Sequence, residues 1–386
     1  MSIDPYRVML SQRRRIEAFR ARVREAVRPG DCVLEIGAGL GTYAFFAAAA
    51  GAGRVVAVES GPVIQVAREI ARHNGLADRV EFVHGWFPGV EVPDAVDVLI
   101  FENYPPRLFD EWTSHVLRKA HALLAPGGRL IPERARVYLA PVESPHTWAH
   151  VGALGGDADT AYGLDWTPSR AYVYNAPLDV TIAPDELRHE PACVAELDLR
   201  HLPTAADLSF HAEWTFEAPA TIHGLVYWFD LEVGTGIWLT NRPGGDPGAW
   251  GYVYLPVAAP IRIGAGETLT AEVSSEPSPA GAPRWLRWEV ATPTERFRGH
   301  EFRSVPASRA EILEGASAWV PALSRRGWLE GQILALADGR RSVEEIARAV
   351  LASDGVPTLE AAQELVLTTL EGRTAGKLQR GDEAHG

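Results

Sequence analysis

Over the first 130 or so residues, short dense apolar runs alternate with stretches of helical spacing. Cys32-Val33-Leu34-Glu35-Ile36, Val55-Val56-Ala57-Val58, Val80–Val83 and Val96–Phe101 are brief and rich in β-branched side chains, as buried strands are. An alanine-rich helix from about Tyr43 to Ala50 and another through Val63, Val66 and Ile70 fall between them. This order predicts a parallel sheet covered on both faces. Ahead of the first strand, Met9, Ile16, Phe19 and Val23 sit near helical spacing with arginines between them. They predict one basic amphipathic helix over residues 1–30, stopped by Pro29-Gly30.

The pattern changes after a turn at Ala125-Pro126-Gly127-Gly128. From about Arg129 to Val273 apolar residues alternate in short runs, as in Arg136-Val137-Tyr138-Leu139, Leu225–Phe229 and Tyr252-Val253-Tyr254-Leu255. Gly and Pro clusters separate these runs, which predicts an antiparallel barrel or sandwich. Ser274–Pro283 reads as a loop. Helical spacing returns near the end: Ser342 with Glu345 forms a capping box ahead of an apolar face of Ile346, Ala349 and Val350. Leu365, Val366, Leu367 and Leu370 suggest a further helix. The expected class is α/β: a Rossmann-like domain at 1–132, an antiparallel β-barrel domain at 133–305, and a small helical domain at 306–386.

Length and charge narrow the possibilities. A chain of 386 residues accommodates two to three domains. A formal net charge of −13 disfavours nucleic acid and suits either cationic partners or simple solubility. Cys32 and Cys193 are too few for a disulfide framework. No apolar run has the length of a membrane span, and no signal core follows the basic N-terminus. A soluble cytoplasmic protein is expected, with no nucleic-acid or membrane partner. His84, His115 and His121 have no metal-ligand company, so no metal is expected.

The chemistry concentrates at Glu35-Ile36-Gly37-Ala38-Gly39-Leu40-Gly41, where a buried strand enters a glycine turn and then a helix. Gly37, Gly39 and Gly41 let backbone approach a ligand where a Cβ would clash. Glu59 ends the next strand, 18 positions after Gly41, where a carboxylate can accept both hydroxyls of a ribose. The Glu-x-Gly-x-Gly form is typical of class I methyltransferases. The Gly-x-Gly-x-x-Gly of nicotinamide enzymes is absent, because Gly41 falls one place early. A turn that serves only packing is the alternative.

The strand Asp97–Phe101 delivers Glu102 at its C-terminal end, the edge where parallel sheets bind ligands, and Glu111 follows nine positions later. Two carboxylates on one loop match the planar donors of a guanidinium. Here the chain resembles the protein arginine methyltransferases, over about residues 6–275. The two glutamates, Met9-Leu10 with Arg15 and Phe19, Ala125–Pro132, Leu225–Phe229 and Ala249-Trp250 as barrel strands, and Tyr162–Asp165 carry the resemblance. It implies S-adenosylmethionine as cofactor, with Arg15 holding its carboxylate and Glu35, Gly37, Gly39, Gly41 and Glu59 lining its site. It also implies a homodimer built through an arm at about 145–180. Glu102 would be the bidentate guanidinium clamp and Glu111 the proton acceptor.

The departures are specific. The family's Glu-Trp-Met-Gly-Tyr loop reads Glu102-Asn103-Tyr104-Pro105-Pro106, and its Thr-His-Trp reads Gly248-Ala249-Trp250. The helix aspartate that partners the missing histidine is Gln12. Tyr6 is a remnant of an aromatic motif that covers the cofactor. The acidic residue expected at the adenine is absent, so Trp86 and Phe87 are expected to supply stacking. Tyr104, Arg107 and Trp250 are candidate acceptor contacts. Arg107 could instead serve the surface, Trp250 the barrel core, and Glu111 a solvated face of a helix over Asp110–Lys119.

Residues 331–347 look like the helical half of small winged-helix domains and like peptide-binding modules of natural-product pathways; a packing or dimerisation appendage is the alternative. The function these features imply is N-methylation of free arginine or of an arginine in a peptide. The same scaffold could methylate another amine or a small metabolite in natural-product biosynthesis, or bind a partner without catalysis.

Overall fold

The computed structural model describes residues 3–153, 161–245, 250–314, 318–351 and 356–371. It divides into two compact units, Met1–Pro306 and Ala307–Gly386.

The first unit opens with α1 (Asp4–Ser11) and α2 (Arg13–Ala26), not with the single helix over 1–30 that the periodicity predicts. The break is at Gln12, whose backbone leaves the helical region, and the chain is extended by Val27. Packing gives the reason. Phe19, Val23 and Ala26 of α2 are buried in the core, whereas α1 has no buried residue and turns Tyr6, Met9 and Leu10 to a cavity. One straight helix could not present both faces.

The parallel sheet follows: β1 (Cys32–Ile36), α3 (Thr42–Ala49), β2 (Arg54–Glu59), α4 (Ile64–His73), β3 (Glu81–His84), β4 (Val96–Phe101), α5 (Glu111–His121) and β5 (Leu124–Ile131). The strand order is β3-β2-β1-β4-β5. β1 pairs on one side with β2 (Val33 opposite Val55) and on the other with β4 (Val33 opposite Val98). The chain therefore switches direction across the sheet between β1 and β4. A crevice opens beyond the strand C-termini at such a point. The expected turn at Ala125–Gly128 lies inside β5 as an irregularity: Leu124 pairs with Val96 and Arg129 with Val98, and Gly127 takes φ +78°.

The antiparallel region comprises β6 (Arg134–Val142), α6 (Pro145–Gly152), α7 (Arg170–Val173), β7 (Ala192–Asp198), β8 (Ser209–Thr215), β9 (Ala220–Gly234), β10 (Ile237–Thr240), β11 (Val253–Ile263), β12 (Thr268–Pro277), β13 (Pro283–Ala291) and β14 (Arg296–His300). One sheet runs β10-β9-β6-β7 with β11 also on β9; the other runs β14-β13-β12-β8. β7 lies beside β8 and β11 beside β14, which brings the two sheets into a barrel-like whole. The period-two reading is clearest in β8, where Phe210, Ala212 and Trp214 are buried and their neighbours exposed.

Two expectations need correction. The loop expected at Ser274–Pro283 is shorter than that: β12 reaches Pro277 and pairs with β13 (Ser274 opposite Arg287), because the partner strand satisfies its backbone, and only Ser278–Ala282 form the turn between them. Trp250 precedes β11 rather than lying in a strand. Part of the expected arm, 154–160, and Gly248-Ala249 fall outside the described residues.

The second unit contains α8 (Arg309–Glu314), α9 (Arg325–Leu336), α10 (Val343–Leu351) and α11 (Leu359–Leu370). Leu329, Ile333, Ile346, Ala347, Val350, Ala362 and Val366 form its core. The Ser342–Glu345 capping box forms in both directions, at 2.8 and 3.2 Å. Ala347, not the expected Ala349, is buried with Ile346 and Val350. No strand occurs among the described residues of this unit, so the wing of a winged helix is not among them.

Candidate active site

A cavity of about 720 Å³ lies beyond the C-terminal ends of β1, β2, β3 and β4. Its floor is the glycine turn. Gly37, Gly39 and Gly41 all have positive φ, +79°, +54° and +78°. Gly39 carries the tightest constraint, since a Cβ there would meet the Tyr6 ring at 2.6 Å. The Tyr6 ring of α1 thus lies directly over the turn, and Pro5, Met9 and Leu10 continue that wall.

Three glutamates line the cavity, each tied down differently. Glu59 accepts the backbone N–H of Gly39 at 2.9 Å and of Gly61 at 2.6 Å, so it fixes the turn as well as facing the cavity. Glu35 accepts the Ala44 N–H at 2.7 Å, which ties the end of β1 to the first turn of α3. Burial, with Glu102 and Glu59 nearby, pushes the Glu35 carboxyl up to about 8. Glu102 follows β4 and forms a buried ion pair with Arg15 of α2.

Raising Glu35 has a consequence for stability. The folded protein holds the proton more tightly than the unfolded chain, so this contribution is complete below about 4.5 and is lost as pH rises to about 8. Each pH unit in that window is worth about 1.4 kcal/mol, so the loss is on the order of a few kcal/mol. Glu35→Gln keeps an acceptor for Ala44 and removes the titration. Thermal melting from pH 5 to pH 9 is expected to fall less steeply in the variant. Parallel curves would refute this account of Glu35.

Around Glu102 the sequence-distant residues converge. Arg15 donates to the Gln12 side chain at 3.0 Å, and its guanidinium lies 4.9 Å from the centroid of Trp250. The Trp250 indole N–H donates to the Glu102 backbone carbonyl at 3.1 Å. Gln12 therefore supports Arg15 at the position where the resemblance leads one to expect an aspartate. Burial pushes the Glu102 carboxyl above its ordinary range, and the Arg15 guanidinium partly offsets this. Arg15 Nε has no hydrogen-bond partner, so a buried donor remains at the cavity wall for an anionic group.

The remaining candidates separate into those in the cavity and those outside it. Trp86 and Phe87, just after β3, line it; Phe87 is buried and Trp86 is 64 % exposed. Trp250 does not line it and is core, 4 % exposed, against Phe229. Tyr104 is also core, its ring edge-on to Phe101 at 5.1 Å. Arg107 bonds Glu301 at 2.7 Å and ties the loop to the region after β14. These three do not reach the cavity, because the loop after Glu102 turns into the interface with the barrel.

Glu111 does not join Glu102. It is the first residue of α5, its side chain is 51 % exposed, and its nearest cation is Arg284 of β13 at 3.9 Å. The helix fixes this. Asp110 caps α5 by accepting the Thr113 N–H at 2.7 Å, and successive helical residues point about 100° apart. Trp112 lines the cavity, so Glu111 is turned away. Trp112 is a lining residue that the sequence reading missed. An indole one place inside a capped helix, on the loop from a ligand-bearing strand end, was the available signal. Tyr43 and Asn103, also unassigned from sequence, line the cavity too, and Tyr43 stacks on Phe19 at 4.6 Å.

Comparisons with known proteins agree with this architecture. Residues 33–128 match a methyltransferase domain model, and residues 133–290 match the arginine methyltransferase oligomerization subdomain. The chain is 29 % identical over 234 residues to the probable protein arginine N-methyltransferase 6 of Arabidopsis thaliana, covering 58 % of this chain and 53 % of that protein. It is 31 % identical over 211 residues to the probable protein arginine N-methyltransferase 6.2 of Oryza sativa subsp. indica, covering 53 % and 52 %. The chain thus spans about half the length of these two curated relatives. Against protein arginine N-methyltransferase 6 of Xenopus laevis it is 25 % identical, over 67 % of this chain and 78 % of that one. Among solved structures, the Trypanosoma brucei PRMT1 enzyme–prozyme heterotetrameric complex with AdoHcy superposes with a TM-score of 0.67 at 21 % identity, covering 77 % of this chain and 98 % of that one. Arabidopsis thaliana protein arginine methyltransferase 10 superposes at 0.61 and 23 %, covering 76 % and 96 %. These structures share the fold. With a methyltransferase domain joined to an arginine methyltransferase oligomerization subdomain, this chain belongs to the protein arginine methyltransferase family of S-adenosylmethionine-dependent methyltransferases.

Proposed function

We propose that this protein transfers a methyl group from S-adenosylmethionine to a guanidino nitrogen of arginine, either free or within a peptide. The observation that carries the reading is Glu102: a carboxylate just after β4, its side chain 14 % exposed, in the same cavity as the glycine turn and Glu59. The residues present fit the cofactor. The glycine turn offers approach without a Cβ, Glu59 faces the cavity beside it, and the partnerless Arg15 Nε suits a carboxylate. When bound, S-adenosylmethionine supplies an electrophilic methyl group on a sulfonium.

The protein's contribution is charge and position. Glu102 holds the cationic guanidinium and orients one nitrogen, and pre-aligning two bound reactants can remove much of a barrier. The guanidino nitrogen loses a proton on methylation. The burial that raises the Glu102 carboxyl also makes it a stronger base for that proton. Glu111, half exposed and facing Arg284, contributes less in this reading. Glu111→Gln is expected to change kcat by less than about five-fold, as exposed charge pairs are worth under about 1 kcal/mol. A loss comparable to that of a Glu102 variant, measured by steady-state transfer, would return Glu111 to the clamp.

Because Glu111 lies outside the cavity, a second reading stays open: an amine or small metabolite that needs one carboxylate rather than two, as in natural-product biosynthesis. Mass spectrometry of products from free arginine, an arginine-containing peptide and simple amines separates the readings. Methyl groups on amines alone would exclude the arginine reading. The proposal includes a homodimer and a cytoplasmic setting. The exposed Tyr162 and Leu164, in the arm region within the oligomerization subdomain match, support the first. The two cysteines, neither in a disulfide, are compatible with the second. No helix among the described residues is long and apolar enough to cross a membrane.

A further inference from the structure

The sheet order fixes which end of the cavity receives which part of a bound nucleoside. Along the strand ends the lining residues run from Glu102 after β4, through Gly37 after β1, to Glu59 at the end of β2 and Trp86 after β3. With a ribose at Glu59, the base extends toward β3. What lines that end is Gly85, Trp86 and Phe87, faced by Trp112 from α5. Trp86 and Trp112 approach edge to face, with ring centroids 6.0 Å apart and planes at 88°. Both remain open to solvent, 64 % and 40 % exposed, although each is a large apolar ring. The three carboxylates lining the cavity stand elsewhere along the strand ends: Glu35 in β1, Glu59 at the end of β2 and Glu102 after β4. No carboxylate or carboxamide side chain stands at the β3 end among the described lining residues.

We propose that Trp112, together with Trp86, holds the nucleobase by stacking alone, so that the site reads a purine ring by its shape and not by its exocyclic amine. The inference rests on the cofactor reading above. The base lies on the open face of one indole and abuts the other, and covers surface that is otherwise wet. A site of this kind separates two purines weakly, because neither leaves a buried polar partner unsatisfied. Trp112 is then a specificity-determining residue. It relaxes selection at the base, while Glu59 and Arg15 keep selection at the sugar and the amino-acid end.

The test is equilibrium binding, by calorimetry, of S-adenosyl-L-homocysteine and S-inosyl-L-homocysteine, in which a carbonyl replaces the exocyclic amine. The wild-type protein is expected to bind the two within about three-fold of each other. Trp112→Ala is expected to weaken both on the order of ten-fold, in keeping with the loss of one stacked aromatic face. Trp112→Phe should stay within about three-fold of the wild type. Because Trp112 is exposed, the variants should fold, and circular dichroism checks this. A wild-type preference for the adenine compound above about thirty-fold would overturn the proposal. So would a folded Trp112→Ala variant that binds both as the wild type does. A wild-type protein that binds neither would sink the cofactor reading, and the stacking claim with it.

Discussion

Replacing Glu102 by Gln is expected to lower the methyl-transfer rate by roughly 10²- to 10³-fold while S-adenosylhomocysteine still binds within about three-fold of the wild type. The two halves of this outcome have separate physical sources. Gln keeps the shape of Glu and an oxygen that can accept from Arg15, so the contact between α2 and the end of β4 persists in weakened form. The negative charge is lost, however, and with it both the attraction for a guanidinium and the base for its proton. The wild-type enzyme should also show an acid limb in kcat. Burial holds the Glu102 carboxyl above its ordinary range, so the charged form is lost as pH falls through that raised value rather than near the usual 4.5. Steady-state rates against pH, with a parallel titration of S-adenosylhomocysteine, measure both parts. A folded Glu102→Gln variant that turns over within a few-fold of the wild type would remove the proposed clamp, and the acceptor would have to be sought elsewhere.

Removing the other half of the pair should be more damaging to the fold. Arg15→Ala is expected to destabilise the protein by about 3–5 kcal/mol, the usual cost of leaving a buried charge without its partner. Glu102 would lose the cation at its carboxylate, and its carboxyl would rise further toward the neutral form. The stacking of the guanidinium on Trp250 and the bond to Gln12 would be lost as well. Affinity for the cofactor should fall together with stability, because Arg15 carries the cavity's partnerless buried donor. Arg15→Lys serves as the control. It restores the positive charge but not the planar fork, and should recover part of the stability and less of the affinity. Denaturant unfolding and a binding titration on both variants separate the effects. An Arg15→Ala protein as stable as the wild type would show that the pair contributes nothing to folding. An unchanged affinity would remove Arg15 from the cofactor site.

The amino-acid sequence by itself determined whatever depends on near neighbours. The parallel strands, the glycine turn and Glu59 were legible because one buried strand, one turn and the next strand end lie within 28 positions of one another. The alternation of β8 and the Ser342–Glu345 box were legible for the same reason: strand faces and helix caps are set by residues two to four apart. Asp110, too, caps α5 at the place where the sequence put the start of a helix.

Only the tertiary structure decided which of these groups meet. Two glutamates nine positions apart look equivalent along the chain, yet Glu102 is buried against Arg15 of α2 and Glu111 faces outward toward Arg284. The orientation of α5 chose between Glu111 and Trp112, since a helix cannot direct two consecutive side chains to one side. The break at Gln12 was hidden because the apolar spacing continues through it; only the need to cover the sheet and the cavity at once splits the helix. Arg107 found its partner in Glu301, 194 positions away. Burial and charge pairing sum over contacts between distant segments, and no local pattern carries that sum.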